Sequence, residues 1–269
     1  MSATTTTPTG SAAVQGDLWS ERADDWANLM EPCEAALHLA GLDQLAVGPG
    51  ISLLDVGCGS GAVLRIAADR GADVTGIDAS PALAAHARRL VPGSRVEVGD
   101  LQFLPFEDAS FDVVTGFNSF QYAADRGAGL REARRVLRDH GRVLMAVWGR
   151  PEQCDGETVI DAVRALLPPP PPGAPGPFVL SEDGALAELL SAAGFDTLLV
   201  ADVATPYEYT DESTYLRAWS APGPCVMAIR QVGQEAFDKA ILDASAPFRR
   251  DDGSYRLENI FRFAVARAR

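Results

Sequence analysis

Between residues 51 and 148 the hydrophobic positions follow two rhythms in alternation. Short segments, Ile51 to Val56, Ala72 to Asp78, Arg95 to Val98, Phe111 to Phe117 and Arg142 to Trp148, have the length and β-branched content of strands buried on both faces. Between them apolar residues recur at helical spacing. Val63, Leu64, Ile66 and Ala67 form one such stripe, with Gly71 suited to its C-terminal cap. Ser80 and Pro81 open another helix, the serine as N-cap and the proline at the first helical position. Leu130, Ala133, Val136 and Leu137 form a third, predicted to end at Gly141. Strands alternating with helices in this way imply parallel crossovers, hence an α/β fold with a doubly wound sheet.

The flanks are less regular. From Leu18 to Leu42 a helical pattern carries Trp19 and Trp26 on one face, and Pro32 is predicted to break it into two helices. This segment would either pack on the sheet edge or close as a flap over a ligand. Beyond Trp148 a short helix is expected over Val159 to Leu167. It is followed by Pro168 to Pro172, which cannot be helical and would be extended, as a surface crossover or one wall of a pocket. Ser181 reads as the N-cap of a helix reaching Ala193, with Gly194 as its cap, before a strand within Thr197 to Ala204. Asp211 to Ala221 and Val226 to Ala246 read as helices separated by Pro222-Gly223-Pro224, and Ile260 to Ala266 as the last strand. The expected organisation is a disordered tail over 1–14 and a single domain over 15–269. Within it, 51–148 forms the ligand-binding core, and 15–47, 149–180 and 205–255 supply pocket and cap elements.

Composition narrows the chemistry. The 269 residues are 47% hydrophobic, enough for a large core, and carry 23 Lys plus Arg against 37 Asp plus Glu, a net charge of −14. Such a chain would repel a nucleic-acid backbone, so no nucleic-acid partner is expected. Cys33, Cys58, Cys154 and Cys225 are far apart and lack C-x-x-C spacing, which suggests reduced thiols and no metal site. Residues 1–13 have neither the basic nor the apolar segment of a signal peptide, and no apolar run could span a membrane. A cytoplasmic protein, monomeric or homodimeric and without a membrane partner, is expected.

The candidate chemistry lies at the strand ends. Asp55-Val56-Gly57-Cys58-Gly59-Ser60-Gly61 reads as a strand end, a tight turn and a helix start. Gly57, Gly59 and Ala62 satisfy the G-x-G-x-x-G/A spacing of dinucleotide sites, a weak signal alone. Asp55 opposes that assignment. A pyrophosphate would sit at this helix N-terminus, and two like charges about 4 Å apart cost roughly 4 kcal/mol at an effective dielectric of 20. A cofactor with an amino-acid head group, S-adenosylmethionine, removes the conflict, since it has no phosphate and would bring an ammonium and a sulfonium near the turn. Asp78 ends the second strand where an acid can hold ribose hydroxyls, and Asp100 ends the third where an adenine amine needs an acceptor. Singly, each acid is also consistent with a turn or N-cap aspartate.

The motifs Leu53 to Gly61, Gly76-Ile77-Asp78-Ala79-Ser80, Val98-Gly99-Asp100-Leu101 with Leu104-Pro105-Phe106, Phe111-Asp112-Val113-Val114 and Gly141-Arg142-Val143-Leu144 resemble, in order, those of class I S-adenosylmethionine-dependent methyltransferases. The likeness is strongest to the small-molecule branch typified by ubiquinone and menaquinone biosynthesis, and covers about Ile51 to Trp148. It implies a Rossmann-like seven-stranded sheet flanked by helices, whose last strand is antiparallel and lies between the fifth and sixth. An N-terminal helical segment and a C-terminal cap or insertion would cover the cleft. The resemblance further implies that Asp55 and the turn formed by Gly57, Cys58, Gly59, Ser60 and Gly61 hold the methionyl part. Asp78 would hold the ribose, Ala79, Asp100 and Leu101 the adenine, with Phe117 and Asn118 near the sulfonium. Phe117-Asn118-Ser119-Phe120 stands in place of the Asn/Asp-Pro-Pro-Tyr/Phe motif of amino-group methyltransferases, and Arg138-Asp139-His140-Gly141 in place of a Pro-Gly-Gly turn.

Methyl transfer is an in-line displacement that needs a base only when the acceptor arrives protonated. His86 and His140 are expected at the surface, leaving His38 and Tyr122 as weak candidates for a catalytic role. Aromatic residues suit a pocket for a small, partly hydrophobic methyl acceptor, with Trp19, Trp26, Tyr122, Trp148 and Phe178 as candidate walls. The alternatives are a cyclase or rearrangement enzyme that keeps the cofactor on the same fold, a non-catalytic cofactor-binding regulator, and an NAD-dependent oxidoreductase.

Overall fold

A computed structural model describes residues 10–169 and 178–269. The parallel strands β1 (Ser52–Val56), β2 (Asp73–Asp78), β3 (Arg95–Val98), β4 (Phe111–Phe117) and β5 (Leu137–Trp148) form one side of a seven-stranded sheet, in the order β3-β2-β1-β4-β5. The sheet continues through β9 (Ile260–Ala268), antiparallel to both neighbours, to the edge strand β6 (Phe195–Ala204). The order reverses between β1 and β4, so a crevice opens beyond the carboxyl ends of the strands at that point. β1 shows why both faces are covered. Leu53 packs into the apolar layer on one face and Leu54 into the layer on the other, both fully buried. Each contributes about 1.5–3 kcal/mol by leaving water.

The crossover helices are α4 (Ala62–Asp69), α5 (Pro81–Leu90), α6 (Arg126–Val136), α7 (Gly156–Ala165) and α8 (Ala185–Ala192). They follow α1 (Ala12–Ser20), the single turn α2 (Ala23–Asp25) and α3 (Ala35–Gln44), and precede α9 (Glu212–Trp219), α10 (Gly223–Val232) and α11 (Gln234–Ser245). Ser80 caps α5 as expected, its Oγ accepting from the Leu83 amide at 3.1 Å. No helix among the described residues is long and apolar enough to cross a membrane, and none of the four cysteines is in a disulfide.

Several expectations need correction. Helix α1 begins at Ala12, inside the expected tail, because the Ala12 amide donates to Asp100 Oδ2 at 3.0 Å; residues 1–9 lie outside the described range. The N-terminal segment breaks at Glu21-Arg22 as well as near Pro32, where a π-helical turn over Trp26–Met30 runs into a 3₁₀ turn over Glu31–Glu34. Helix α6 stops at Val136 rather than Gly141. Leu137 turns extended to pair with Phe111, and the Arg138 guanidinium reaches Asp112 at 2.7 Å. Ser181 does not cap α8: its hydroxyl donates back to the Phe178 carbonyl at 2.6 Å, and Gly184 in the left-handed region takes the cap position.

The expected helix over Val226–Ala246 is two helices, divided at Gly233 with φ +85°; Pro222-Gly223-Pro224 separates α9 from α10 as expected and also opens α10, with Pro222 at its N-cap. A small two-stranded antiparallel sheet pairing β7 (Tyr207–Tyr209) with β8 (Tyr255–Leu257) has no counterpart in the sequence pattern. Of the proline run, only Pro168 and Pro169 are described; 170–177 lie outside the described residues.

Candidate active site

The crevice holds a cavity of about 730 Å³. Its floor is the turn after β1. Gly57 has φ +72° and Gly59 φ +53°; a Cβ on Gly57 would lie 2.4 Å from Ser119 Cβ, and one on Gly59 would lie 2.4 Å from Glu31 Oε1. Both contacts exclude side chains, so the backbone itself faces the cavity. Asp78 ties the turn to the next strand: Oδ2 accepts from the Gly59 amide and Oδ1 from the Ser80 amide, each at 2.8 Å.

Most of the predicted residues meet there. Gly57, Gly59, Asp78 and Ala79 line the cavity, as do Asp100 and Leu101, and Phe117 and Asn118 beyond β4. Trp19, Trp26, Tyr122 and Trp148 also line it. Trp19 packs edge-on against Trp26 and Tyr122, with ring centroids 4.8 and 5.5 Å apart. Helix α1 lies across the ends of β2 and β3, since Gly16 abuts the Ala79 carbonyl and Ser20 Oγ is 2.8 Å from Ser80 Oγ. Helix α1 therefore lies over the strand ends and not along the sheet edge.

Six predicted residues do not line the cavity. Asp55 is buried behind the turn and accepts from Thr115 Oγ1 at 2.7 Å. The Cys58 thiol packs beneath Gly76, Gly61 packs on Ala87, and Ser60 donates to Glu31 through both its amide and its hydroxyl. Phe178 stands one layer back, its ring 6.3 Å from Trp148. His38 is buried behind Glu34, its Nε2 3.6 Å from Glu34 Oε2 and its ring against Phe117. Burial raises Tyr122 to about 12, so its phenol keeps its proton and is a poor base.

Two buried acids at the site escaped the sequence reading, Glu31 and Glu34, both on the N-terminal segment. The only available signal was a pair of acids flanking Pro32-Cys33 within an apolar helical pattern. Glu31 Oε1 accepts from the Ser60 amide at 3.1 Å, beside the start of α4, where an anion is favoured. A carboxylate of the chain itself therefore fills the position a pyrophosphate would need. Burial raises the carboxyl of Glu31 to about 7, against hydrogen bonds from Ser60 that lower it. Burial likewise raises Asp55 to about 7 and Asp78 to about 6. Glu34 lines the cavity, and its Oε1 accepts from Asn118 Nδ2 at 3.1 Å and from the Tyr207 hydroxyl at 3.2 Å.

The cavity wall also carries buried polar atoms without hydrogen-bond partners among the described residues, including Trp26 Nε1 beside Gly59, Asn118 Oδ1 and Gln121 Oε1. Unsatisfied buried groups are costly and accumulate where a ligand completes them. An unpartnered donor beside the glycine turn, followed by acids at the ends of β2 and β3, matches in order the carboxylate, ribose and adenine of S-adenosylmethionine.

Residues 54–145 match the family described as a methyltransferase domain. The O-methyltransferase resE of Aspergillus sclerotiorum is 32% identical over 168 residues, 60% of this chain and 60% of that protein. The demethylmenaquinone methyltransferase of Beutenbergia cavernae is 38% identical over 112 residues, 42% of this chain and 47% of that protein. The crystal structure of the cyclase SpnF aligns with a TM-score of 0.55 at 22% identity, over 87% of this chain and 80% of that one, a likeness of fold alone. The chain spans 60% or less of the length of these curated relatives. Sheet order, motifs and family match agree: over residues 54–145 the chain is similar to class I S-adenosylmethionine-dependent methyltransferases.

Proposed function

We propose that this chain methylates a small, partly hydrophobic metabolite. The observation that carries the proposal is the single cavity that joins the strand-end acids Asp78 and Asp100 to an aromatic chamber beyond Phe117 and Asn118. When bound, S-adenosylmethionine supplies a methyl group made electrophilic by the adjoining sulfonium. The chain's own residues then have four tasks. Asp78 would hold the ribose hydroxyls, already oriented by its two backbone bonds. Asp100 would accept from the adenine edge, with Ala79 and Leu101 against the ring faces. Trp26 Nε1 would donate to the methionyl carboxylate, over the bare backbone of Gly57 and Gly59. Trp19, Trp148 and Tyr207 would hold the acceptor in line and exclude water, which supplies most of the rate advantage through alignment.

The net charge of −14 supports a small acceptor over nucleic acid. Calorimetry with S-adenosylhomocysteine and, separately, NAD tests the cofactor assignment: tight binding of the first and none of the second is expected, and the reverse overturns it. Product mass tests the reaction, since methyl transfer adds one methyl and a rearrangement on the same fold adds nothing.

A further inference from the structure

Three elements distant in sequence converge on one carboxylate. Glu34 comes from the N-terminal segment, Asn118 follows β4 and Tyr207 opens β7, yet the amide of Asn118 and the hydroxyl of Tyr207 both donate to Glu34 Oε1, at 3.1 and 3.2 Å. Oε1 is thereby fixed. Oε2 accepts no hydrogen bond from the described residues, His38 Nε2 being 3.6 Å away and beyond hydrogen-bond distance, so its lone pairs are left unused. The residue is 5% exposed and faces the cavity on the side where Phe117 and Asn118 end β4. Its partner Tyr207 packs against Trp148 and Trp219, with ring centroids 5.9 and 6.5 Å apart, and all three rings line the cavity.

An isolated buried carboxylate is expensive unless its lone pairs are used. Here one oxygen is held by two neutral donors and the other is left to a ligand. That pattern discriminates between acceptors. An amine beside this carboxylate would be held as an ammonium, with no lone pair for a methyl group. A hydroxyl on an aromatic or conjugated ring gains nucleophilicity there and can stack on the indole walls.

We infer that Glu34 is the proton acceptor for the reaction, and that the acceptor substrate is a phenol or enol whose hydroxyl bonds to Glu34 Oε2. This rests on the methyltransferase reading above. As the O–H bond breaks, its proton passes to Oε2 and its electron pair stays on oxygen. That pair becomes the new carbon–oxygen bond to the methyl group, while the carbon–sulfur pair leaves with the neutral thioether. Asn118 and Tyr207 act as positioning residues, keeping Oε1 out of competition.

The test uses 4-nitrophenol, whose ionised form absorbs visibly, with the full chain saturated by S-adenosylhomocysteine near neutral pH. A carboxylate at the hydroxyl favours the protonated phenol, so binding to the wild type should bleach the phenolate band. Glu34→Gln should bind the probe with that band retained, while its affinity for S-adenosylhomocysteine stays within about twofold of wild type. Equal bleaching by wild type and Glu34→Gln, or no binding of the probe to the wild type, overturns the inference. Failure of S-adenosylhomocysteine itself to bind overturns the cofactor reading instead, so the two failures are distinct. Should Glu34→Gln not fold, Glu34→Asp replaces it. Its carboxylate, withdrawn by one methylene, should bleach less than half as much, and bleaching equal to wild type overturns the inference.

Discussion

Glu31 Oε1 lies 3.1 Å from the backbone nitrogen of Ser60, so a carboxylate from the N-terminal segment closes directly onto the glycine turn of the sheet. The contact connects the N-terminal segment to the floor of the cleft. It also gathers three raised acids, Glu31, Asp55 and Asp78, around the turn, all pushed up chiefly by burial.

The first prediction concerns pH and ligand binding. The ammonium of the ligand's amino-acid end favours the ionised forms of these acids, so binding should release protons while they are partly neutral. Affinity for S-adenosylhomocysteine should therefore rise as pH increases through the range of about 6 to about 7 in which they titrate, and level off above it. Calorimetry in buffers of different ionisation enthalpy measures the proton count; a count of zero across that range contradicts the prediction.

Stability without ligand should move in the opposite direction. The folded-state carboxyl of Glu31 lies above its ordinary value of 4.5, at about 7. Its contribution to stability is therefore fully present below the unfolded value and is lost as pH rises through about 7. Glu31→Gln removes that loss while keeping an acceptor for Ser60. Relative to wild type, the variant should gain about 2–3 kcal/mol between about pH 5 and about pH 8. Denaturant unfolding of both proteins at the two pH values is the measurement, and a constant difference would contradict it.

Asp78→Ala should cost both affinity and stability. The carboxylate satisfies the Gly59 and Ser80 amides, so its loss leaves two buried donors unpaired, at about 1–3 kcal/mol each. Binding of S-adenosylhomocysteine should fall at least about 100-fold, since about 2.7 kcal/mol corresponds to that factor. Calorimetry alongside a denaturant melt separates the two effects; unchanged affinity would remove Asp78 from the site.

Gly59 and Glu31 should be energetically coupled. A Cβ at Gly59 would lie 2.4 Å from Glu31 Oε1 on a backbone with φ +53°. Gly59→Ala should destabilise by about 1–3 kcal/mol, from backbone strain and displacement of the carboxylate. Adding Glu31→Ala should restore part of that loss, the part due to the clash. A double-mutant cycle reads the coupling, and strictly additive effects would show that the two residues do not interact.

The sequence by itself determined the sheet core and the acids along one edge of it. The core strands are nearly continuous apolar runs, and parallel crossovers bury them on both faces, so their positions follow from local pattern. Asp78 and Asp100 were legible for a related reason: strand ends in a parallel sheet share one edge, and an acid at that place in the pattern has a predictable location. What tertiary structure alone decided is what comes over that edge. Glu31 and Glu34 are ordinary acids in an irregular helical segment, and only the fold of that segment over the cleft brings them to Ser60, Asn118 and Tyr207. The same holds for Asp55, whose charge was legible but whose direction was not: it points behind the turn to Thr115, while Glu31 takes the position at the helix start. The two-stranded sheet carrying Tyr207 pairs segments nearly fifty residues apart through three-residue strands, too short for a periodicity of their own. Local pattern places backbone elements through burial, whereas a pocket wall is made by contacts between elements that local pattern does not encode.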